Sequence, residues 1–356
     1  MRIKVGILTA PKIDFEQREH TFVLKNVRIG IGFHWDRYED QEFQGELEIK
    51  RIPNPCVQGG EPWEVAVNTI DLEDYLCSVI SSEMNANSPM ELLKAHAVIS
   101  RSWAIRAMQH PNHDGYDVCA DDHCQRYEGL HRMNERAVEA VRATKGQVLT
   151  STKGRRTMYE SGKTAEEICD CRYHKCCGGK TEVWRTCWED IDVPYIQSVN
   201  CDYCKQPSPG ILRLVLNDYD QETKDFRDWE VHYTDEELDA IIAQKSSLDF
   251  GHIISLEPLH RGASGRIDSL RITGTKQTAV IGKELKIRLW LSRSCLYSSW
   301  FDVSHTDGRW TLRGHGWGHG AGLCQIGAAV MASEGKSYQE ILAYYYANSR
   351  LSTAAQ

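Results

Sequence analysis

The chain has 356 residues, 41% of them hydrophobic and 26% charged, with a formal net charge of −8. That is enough apolar material for a sizeable core and excludes global disorder. The acidic balance argues against nucleic acid as a ligand, because a phosphate-binding face needs local basicity, and no run approaches the roughly 18 apolar residues of a membrane span.

In chain order, Met1-Arg-Ile-Lys-Val-Gly-Ile-Leu reads as a strand rather than a secretory signal, since it lacks a long apolar stretch and a small-residue cleavage site. Further strands are expected at Thr21-Phe-Val-Leu, at 43–50 and at Glu64-Val-Ala-Val-Asn. A helix over about 71–84 follows. Leu72, Leu76, Val79 and Glu83 fall at steps of four, three and four, on one helical stripe. A carboxylate ending an apolar stripe is expected to be partly desolvated, which disfavours its charged form and suits proton donation near neutral pH. The alternative is a buried structural Glu, paired with an Arg or capping backbone.

Ser88-Pro89-Met90-Glu91 has the pattern of a capping box and opens a second helix reaching about residue 109. Lys94 and Arg101, about two turns apart on it, are candidates to hold Glu83 or sense a carboxylate; a solvated basic face is the alternative. In the loop 111–130, His113, Cys119 and Cys124, with His123 alongside, are spaced to wrap one metal. Two Cys and one His suit tetrahedral Zn²⁺, with the fourth ligand from elsewhere or from water. A third helix is expected at 132–144, and strands near Gly146-Gln-Val-Leu-Thr and Thr157-Met-Tyr.

Seven of the thirteen cysteines crowd into residues 169–204. Their close spacings suit thiols or metal ligation better than a disulfide framework. Cys201-x-x-Cys204, with a pair from 169–187, is a candidate second zinc site; free buried thiols are the alternative. Pro194-Tyr-Ile-Gln-Ser-Val reads as extended, 234–245 as a helix opened by Thr234-x-x-Glu237, and 250–304 as strands and turns. The loop 314–322 alternates glycine with His315, Trp317 and His319 and leads into helices at about 323–333 and 337–346. If extended, it shows those three rings to one side, a surface on which a sugar can stack and hydrogen-bond. A nucleotide loop lacks its Lys-Ser/Thr here, and a metal on His315 and His319 would need a third ligand. Strands and helices without regular alternation predict an α+β fold, with a β-rich segment 1–70, a region 71–346 that carries the chemistry, and a tail 347–356.

Several blocks, in order over about 71–346, resemble the stage II sporulation protein D and amidase-enhancer family. They are Leu72-Glu-Asp-Tyr-Leu through Glu83-Met to Arg101-Ser-Trp-Ala; Asp117-Val-Cys119 with His123-Cys124-Gln125; Cys177-Gly-Gly-Lys-Thr-Glu; and Gly316-Trp-Gly-His319-Gly-Ala-Gly-Leu-Cys-Gln325. The resemblance implies a peptidoglycan lytic transglycosylase acting on glycan strands stripped of stem peptides, with the catalytic acid at Glu83. It also implies a zinc in some members, held by Cys119, Cys124 and either His113 or His123. His315, Trp317, His319 and Gln325 would bind glycan, with Lys94 and Arg101 near a lactyl carboxylate. The rival role is a non-catalytic glycan binder that stimulates a cell-wall amidase; a cysteine-based redox or metal-handling protein is more distant. The chain departs from the family at His96, where Gln is commoner, and at Cys324, where Ser is commoner. The resemblance implies the cell envelope as the location, although the sequence carries no signal or anchor.

Overall fold

The computed structural model describes residues 1–31, 36–121, 123–152, 166–205, 207–216 and 227–354. It is α+β, small sheets packed with helices. Strands β1 (Arg2–Ala10), β2 (Phe15–Gln17), β3 (Thr21–Ile29), β4 (Arg37–Gln44), β5 (Glu46–Ile52) and β6 (Trp63–Asp71) lead into helices α1 (Leu72–Glu83) and α2 (Met90–Gln109). Ile3 and Val5 are buried between exposed Arg2 and Lys4, the period of two that a half-covered strand requires. β1 pairs antiparallel with β6, Arg2 against Asp71, and parallel with the short β7 (Val118–Cys119), Gly6 against Cys119. The stretch 43–50 is not one strand: Gly45, at φ 96°, turns the chain so that β4 and β5 join different sheets.

Asp71 caps α1 by accepting from Glu73 N, with Glu73 and Asp74 in the positive first turn. The capping box at Ser88 does not form. Buried Ser88 donates to Leu214 O (2.9 Å), and Glu91 accepts instead from Lys94 Nζ and Tyr338 N. Helix α3 (Glu135–Ala143), capped by Asn134, starts later than expected. Then come β8 (Gln147–Ser151), β9 (Glu167–Ile168), β10 (Tyr173–His174), α4 (Trp184–Cys187) and α5 (Pro209–Val215). The strand expected at Thr157-Met-Tyr lies outside the described residues. The stretch expected to be extended from Pro194 turns first, Ile196 N bonding Val193 O, and only Val199 runs beside Thr181.

Among the described residues two apolar cores form. One draws on residues 3–216 and 321–346; the other lies wholly within 229–312. The second is built from β11 (Asp228–Thr234), α6 (Asp235–Lys245), β12 (Ile253–Arg261), β13 (Ile267–Gly274), β14 (Thr278–Ile281), α7 (Glu284–Trp290), β15 (Phe301–Thr306) and β16 (Arg309–His315). Here the expected capping box does form, between Thr234 and Glu237. The chain then returns to the first core through β17 (Leu323–Cys324), α8 (Gln325–Ser333) and α9 (Tyr338–Tyr345). The last residues include a strand, β18 (Arg350–Thr353), paired with β8.

Candidate active site and metal centres

The apolar stripe of α1 is buried as its spacing requires: Leu72, Leu76 and Val79 lie in the first core. Glu83, its last residue, is half-buried and emerges into a cleft of about 770 Å³. Its Oε1 accepts from Tyr173 OH (2.8 Å) and from Arg126 N (3.1 Å). Burial, and then the charge of Glu83, push the Tyr173 phenol well above its ordinary range, so it keeps its proton and donates.

Behind Tyr173 stands His96 of α2, fully buried, its ring 4.4 Å from the tyrosine ring. Burial, with Lys175 nearby, pushes His96 down to about 3. The ring is therefore neutral, and its partners fix the tautomer. The Gln325 amide donates to Nε2 (3.1 Å), and Nδ1–H donates to Ser100 Oγ (3.2 Å). Gln325 opens α8, directly after the Gly-rich loop. Acid, phenol, imidazole and amide thus link α1 to that loop.

The Gly-rich loop is not extended past His315. Gly316, Gly318, Gly320 and Gly322 all have positive φ, from 72° to 96°, which coils the chain. A Cβ on Gly320 would press on the Arg266 guanidinium, and one on Gly322 would overlap the Arg172 carbonyl. The coil separates the three rings that strict alternation would align. Trp317 and His319 line the cleft with Glu83 and Gln325, whereas His315 sits outside that lining, bonded to Asp228 (2.6 Å) and 5.0 Å from the Trp300 ring. His319 accepts from Ala321 N at Nδ1 (3.1 Å), which leaves the proton on Nε2; burial holds the ring neutral.

Lys94 and Arg101 do not reach the cleft lining. Arg101 has no exposed side-chain surface. It makes a two-pronged pair with Glu73 (2.9 and 2.7 Å) and bonds the carbonyls of Val141 and Gln147, tying α2 to α1, α3 and β8. Lys94 pairs with Glu91 one turn back (2.7 Å). The cations lining the cleft are instead Arg106, Arg126, Arg172, Lys175 and Arg288. Arg172 is held among aromatic faces, 4.9 Å from Trp188 and 5.3 Å from Trp184. Sequence spacing could not reveal Tyr173 or Arg172, since β10 is two residues long and gains its place by pairing with β17, Tyr173 against Leu323.

Four ligand atoms from His113, Cys119, His123 and Cys124 lie within 4.8 Å of one another at the rim of the cleft. Both histidines therefore join the two thiols, where the spacing alone left one of them open. His113 Nε2 is 3.1 Å from Cys124 Sγ, and His123 Nδ1 is 3.5 and 3.9 Å from Cys124 and Cys119. The thiols share a proton: donation from Cys124 pulls Cys119 down to about 4, while Cys124 is pushed up. A ready thiolate, a second thiol and two imidazoles form a donor set that fits Zn²⁺. β7 places Cys119 against β1, and Tyr116 stacks on His113 (4.8 Å). A second set, Cys177, Cys201, Cys204 and Cys324, is equally compact and fully buried. Its members differ from the expected ones: of the four, Cys177 comes from 169–187, with the neighbouring Cys176 thiol hydrogen-bonded to Cys204 and Cys324, and Cys324 replaces a partner there.

A family model described as stage II sporulation protein matches residues 63–151, and one described as a domain of unknown function matches 182–322. The chain is 30% identical over 284 residues, 79% of its length and 67% of the relative's, to an uncharacterized protein of Brachyspira hyodysenteriae. It is 27% identical over 306 residues to a stage II sporulation protein D of Bacillus amyloliquefaciens, covering 81% of this chain and 76% of the relative. It is also 27% identical over 306 residues to an amidase enhancer of Bacillus subtilis, covering 78% of this chain but 40% of the relative.

Proposed function

From membership of the stage II sporulation protein D and amidase-enhancer family, to which this chain belongs, we propose that it is a peptidoglycan lytic transglycosylase with Glu83 as its single general acid and base. The observation that carries this reading is the position of Glu83. It opens onto the same cleft as Trp317, His319 and Gln325, where the Tyr173 phenol and the Arg126 N–H both donate to it. The other acids lining the cleft are engaged structurally: Asp170 by Arg172, Glu284 by Arg288, Glu189 by the Trp184 indole, and Asp117 by Lys4 N.

One carboxyl group suffices for lytic chemistry, whereas hydrolysis of a glycoside ordinarily takes two. Glu83 gives its proton to the glycosidic oxygen as the C1–O bond breaks. It then takes the proton of the sugar's own C6 hydroxyl as that oxygen bonds to C1. The products are a new free chain end and a 1,6-anhydro end, and Glu83 regains its proton. Trp317 offers its ring to the sugars, and His319 offers an Nε2–H to a hydroxyl. Arg126, Arg172 and Lys175, rather than Lys94 and Arg101, face any lactyl carboxylate. His113, Cys119, His123 and Cys124 would hold a zinc ion that supplies a structural cross-link at the rim; four protein ligands leave it no open position for chemistry. The substrate, glycan stripped of stem peptides, puts the site of action in the cell envelope, and no helix among the described residues is long and apolar enough to cross a membrane.

The likeness to an amidase enhancer favours a second reading, in which the same cleft binds glycan without cutting and recruits an amidase. Digestion of purified, peptide-free strands by the chain alone separates the two, with products read by mass spectrometry. Anhydro-ended fragments from the wild type and none from folded Glu83→Gln are expected. Normal anhydro products from Glu83→Gln would end the proposal. Binding without products, together with stimulation of an added amidase, would establish the enhancer.

A further inference from the structure

Beneath the Gly-rich loop lies a group of thiols that the glycan chemistry does not use. Cys177, Cys201, Cys204 and Cys324 are fully buried, and their sulfurs all lie within 4.8 Å of one another, Cys177 and Cys204 at 3.2 Å. They come from three distant places. Cys177 precedes the Gly178-Gly179 turn, Cys201 and Cys204 bracket a single 3₁₀ turn, and Cys324 caps α8. With Zn–S bonds of ~2.3 Å, tetrahedral geometry sets four sulfurs about 3.8 Å apart around one ion. Clusters of several irons spread their cysteine ligands more widely, so this set suits a single ion.

The backbone is also arranged for thiolates. Gly179 N points at Cys177 Sγ (3.4 Å), while Cys177 N and Gly327 N point at Cys324 Sγ (3.3 and 3.4 Å). Such donors favour the ionised sulfur, the form that binds metal. Several thiolates in a dry pocket are tolerable only with a cation among them.

Cys324 adds an independent argument. It occupies an N-cap and accepts from Gly327 N, a task for which Ser is a preferred residue and a thiol a weak acceptor. Capping does not call for sulfur at this position; metal ligation does.

We propose that Cys177, Cys201, Cys204 and Cys324 bind one zinc ion as a second, structural site, separate from the rim site and independent of the glycan reading. Zinc displaces the remaining thiol protons to solvent. Its four protein ligands close the coordination shell. The ion fastens the 177–204 segment to the start of α8, and so steadies Gln325, the neighbour of Cys324, against His96.

The test is zinc content per chain, by plasma mass spectrometry on the purified full chain, set beside intact mass. The wild type is expected to hold about two zinc ions. Cys324→Ser keeps a capping acceptor, a hydroxyl oxygen in place of the sulfur, and should hold about one, as should His123→Ala at the rim; the double variant should hold none. Cys204→Ser repeats the first result without touching the cap. Cobalt exchanged into His123→Ala should give stronger thiolate charge-transfer absorption per ion than cobalt in Cys324→Ser. The proposal falls if the wild type holds one zinc that Cys324→Ser retains, if the buried set holds iron, or if the intact mass is lighter by the four hydrogens of two disulfides.

Discussion

The two walls of the cleft are built in opposite ways. The first, made of α1, α2 and the loop 113–126, takes each functional group from a contiguous stretch with a period or spacing of its own. The second, made of residues 170–189 and 317–325, assembles groups that meet only in three dimensions; Gln325 reaches His96 across 229 residues of chain. The first wall is braced by a buried ion pair, the second by backbone packed against backbone. A helix announces its buried face in sequence, but a coil of glycines does not announce what it lies against.

The brace of the first wall should show the largest effect. Glu73→Ala leaves the Arg101 guanidinium buried without its carboxylate, at a cost of about 4 kcal/mol. Urea unfolding should show that loss. Near-normal stability would mean that the pair is not what joins α2 to α1, and would reopen a substrate role for Arg101. In the second wall, Gly322→Ala sets a Cβ into the Arg172 carbonyl at a positive φ, with no flexible side chain to give way, and should cost about 3 kcal/mol. Gly59→Ala has a similar φ and nothing within 4 Å, and is the control for backbone conformation alone. Equal losses for the two would show that strain, rather than packing, sets the value.

The same contrast explains what could be read from residues alone. The α1 stripe, Glu83 at its end, the metal spacing of 113–124 and the capping box of α6 are local patterns, and they form. The box at Ser88 fails because α5, far along the chain, supplies a carbonyl that takes the serine hydroxyl. Arg101 looked available beside an apolar stripe because nothing nearby marks Glu73, 28 residues earlier, as its partner. His315 was grouped with Trp317 and His319 by an alternation that positive-φ glycines undo. Tyr173 and the buried four-sulfur set depend on pairing between remote segments, so no window of sequence contains them.

Both walls hold neutral imidazoles; His96 in the first and His174 in the second are both pushed down to about 3 by burial, with Lys175 and Arg266 adding to it respectively, and burial lowers His319 of the second wall as well. An unfolded histidine titrates near 6.5, so between about 6.5 and 3 the unfolded chain binds protons that the folded chain refuses. The stability these rings contribute is complete above about pH 6.5 and falls on acidification, by about 1.4 kcal/mol per pH unit for each ring. Urea midpoints from pH 8 to 5 should show the decline, and His96→Gln should flatten it by one ring's share. An unaltered slope would assign the pH dependence to other groups.

The smallest effect tests whether the walls communicate. Tyr173 belongs to the second wall and Glu83 to the first, and the phenol's hydrogen bond joins the acid to the opposite wall, beside the Gln325–His96 bond. Tyr173→Phe removes that donor but keeps the ring that packs edge-on against His96, so the fold should hold. The Arg126 N–H still restrains the same oxygen, which limits the damage to the orientation of the acid. A hydrogen bond to a carboxylate contributes about 1.5 kcal/mol, so kcat on peptide-free glycan should fall about tenfold with KM little changed. A matching rise in KM would instead give the phenol a direct hold on the sugar. Unchanged kcat would mean that the first wall positions Glu83 without help from the second.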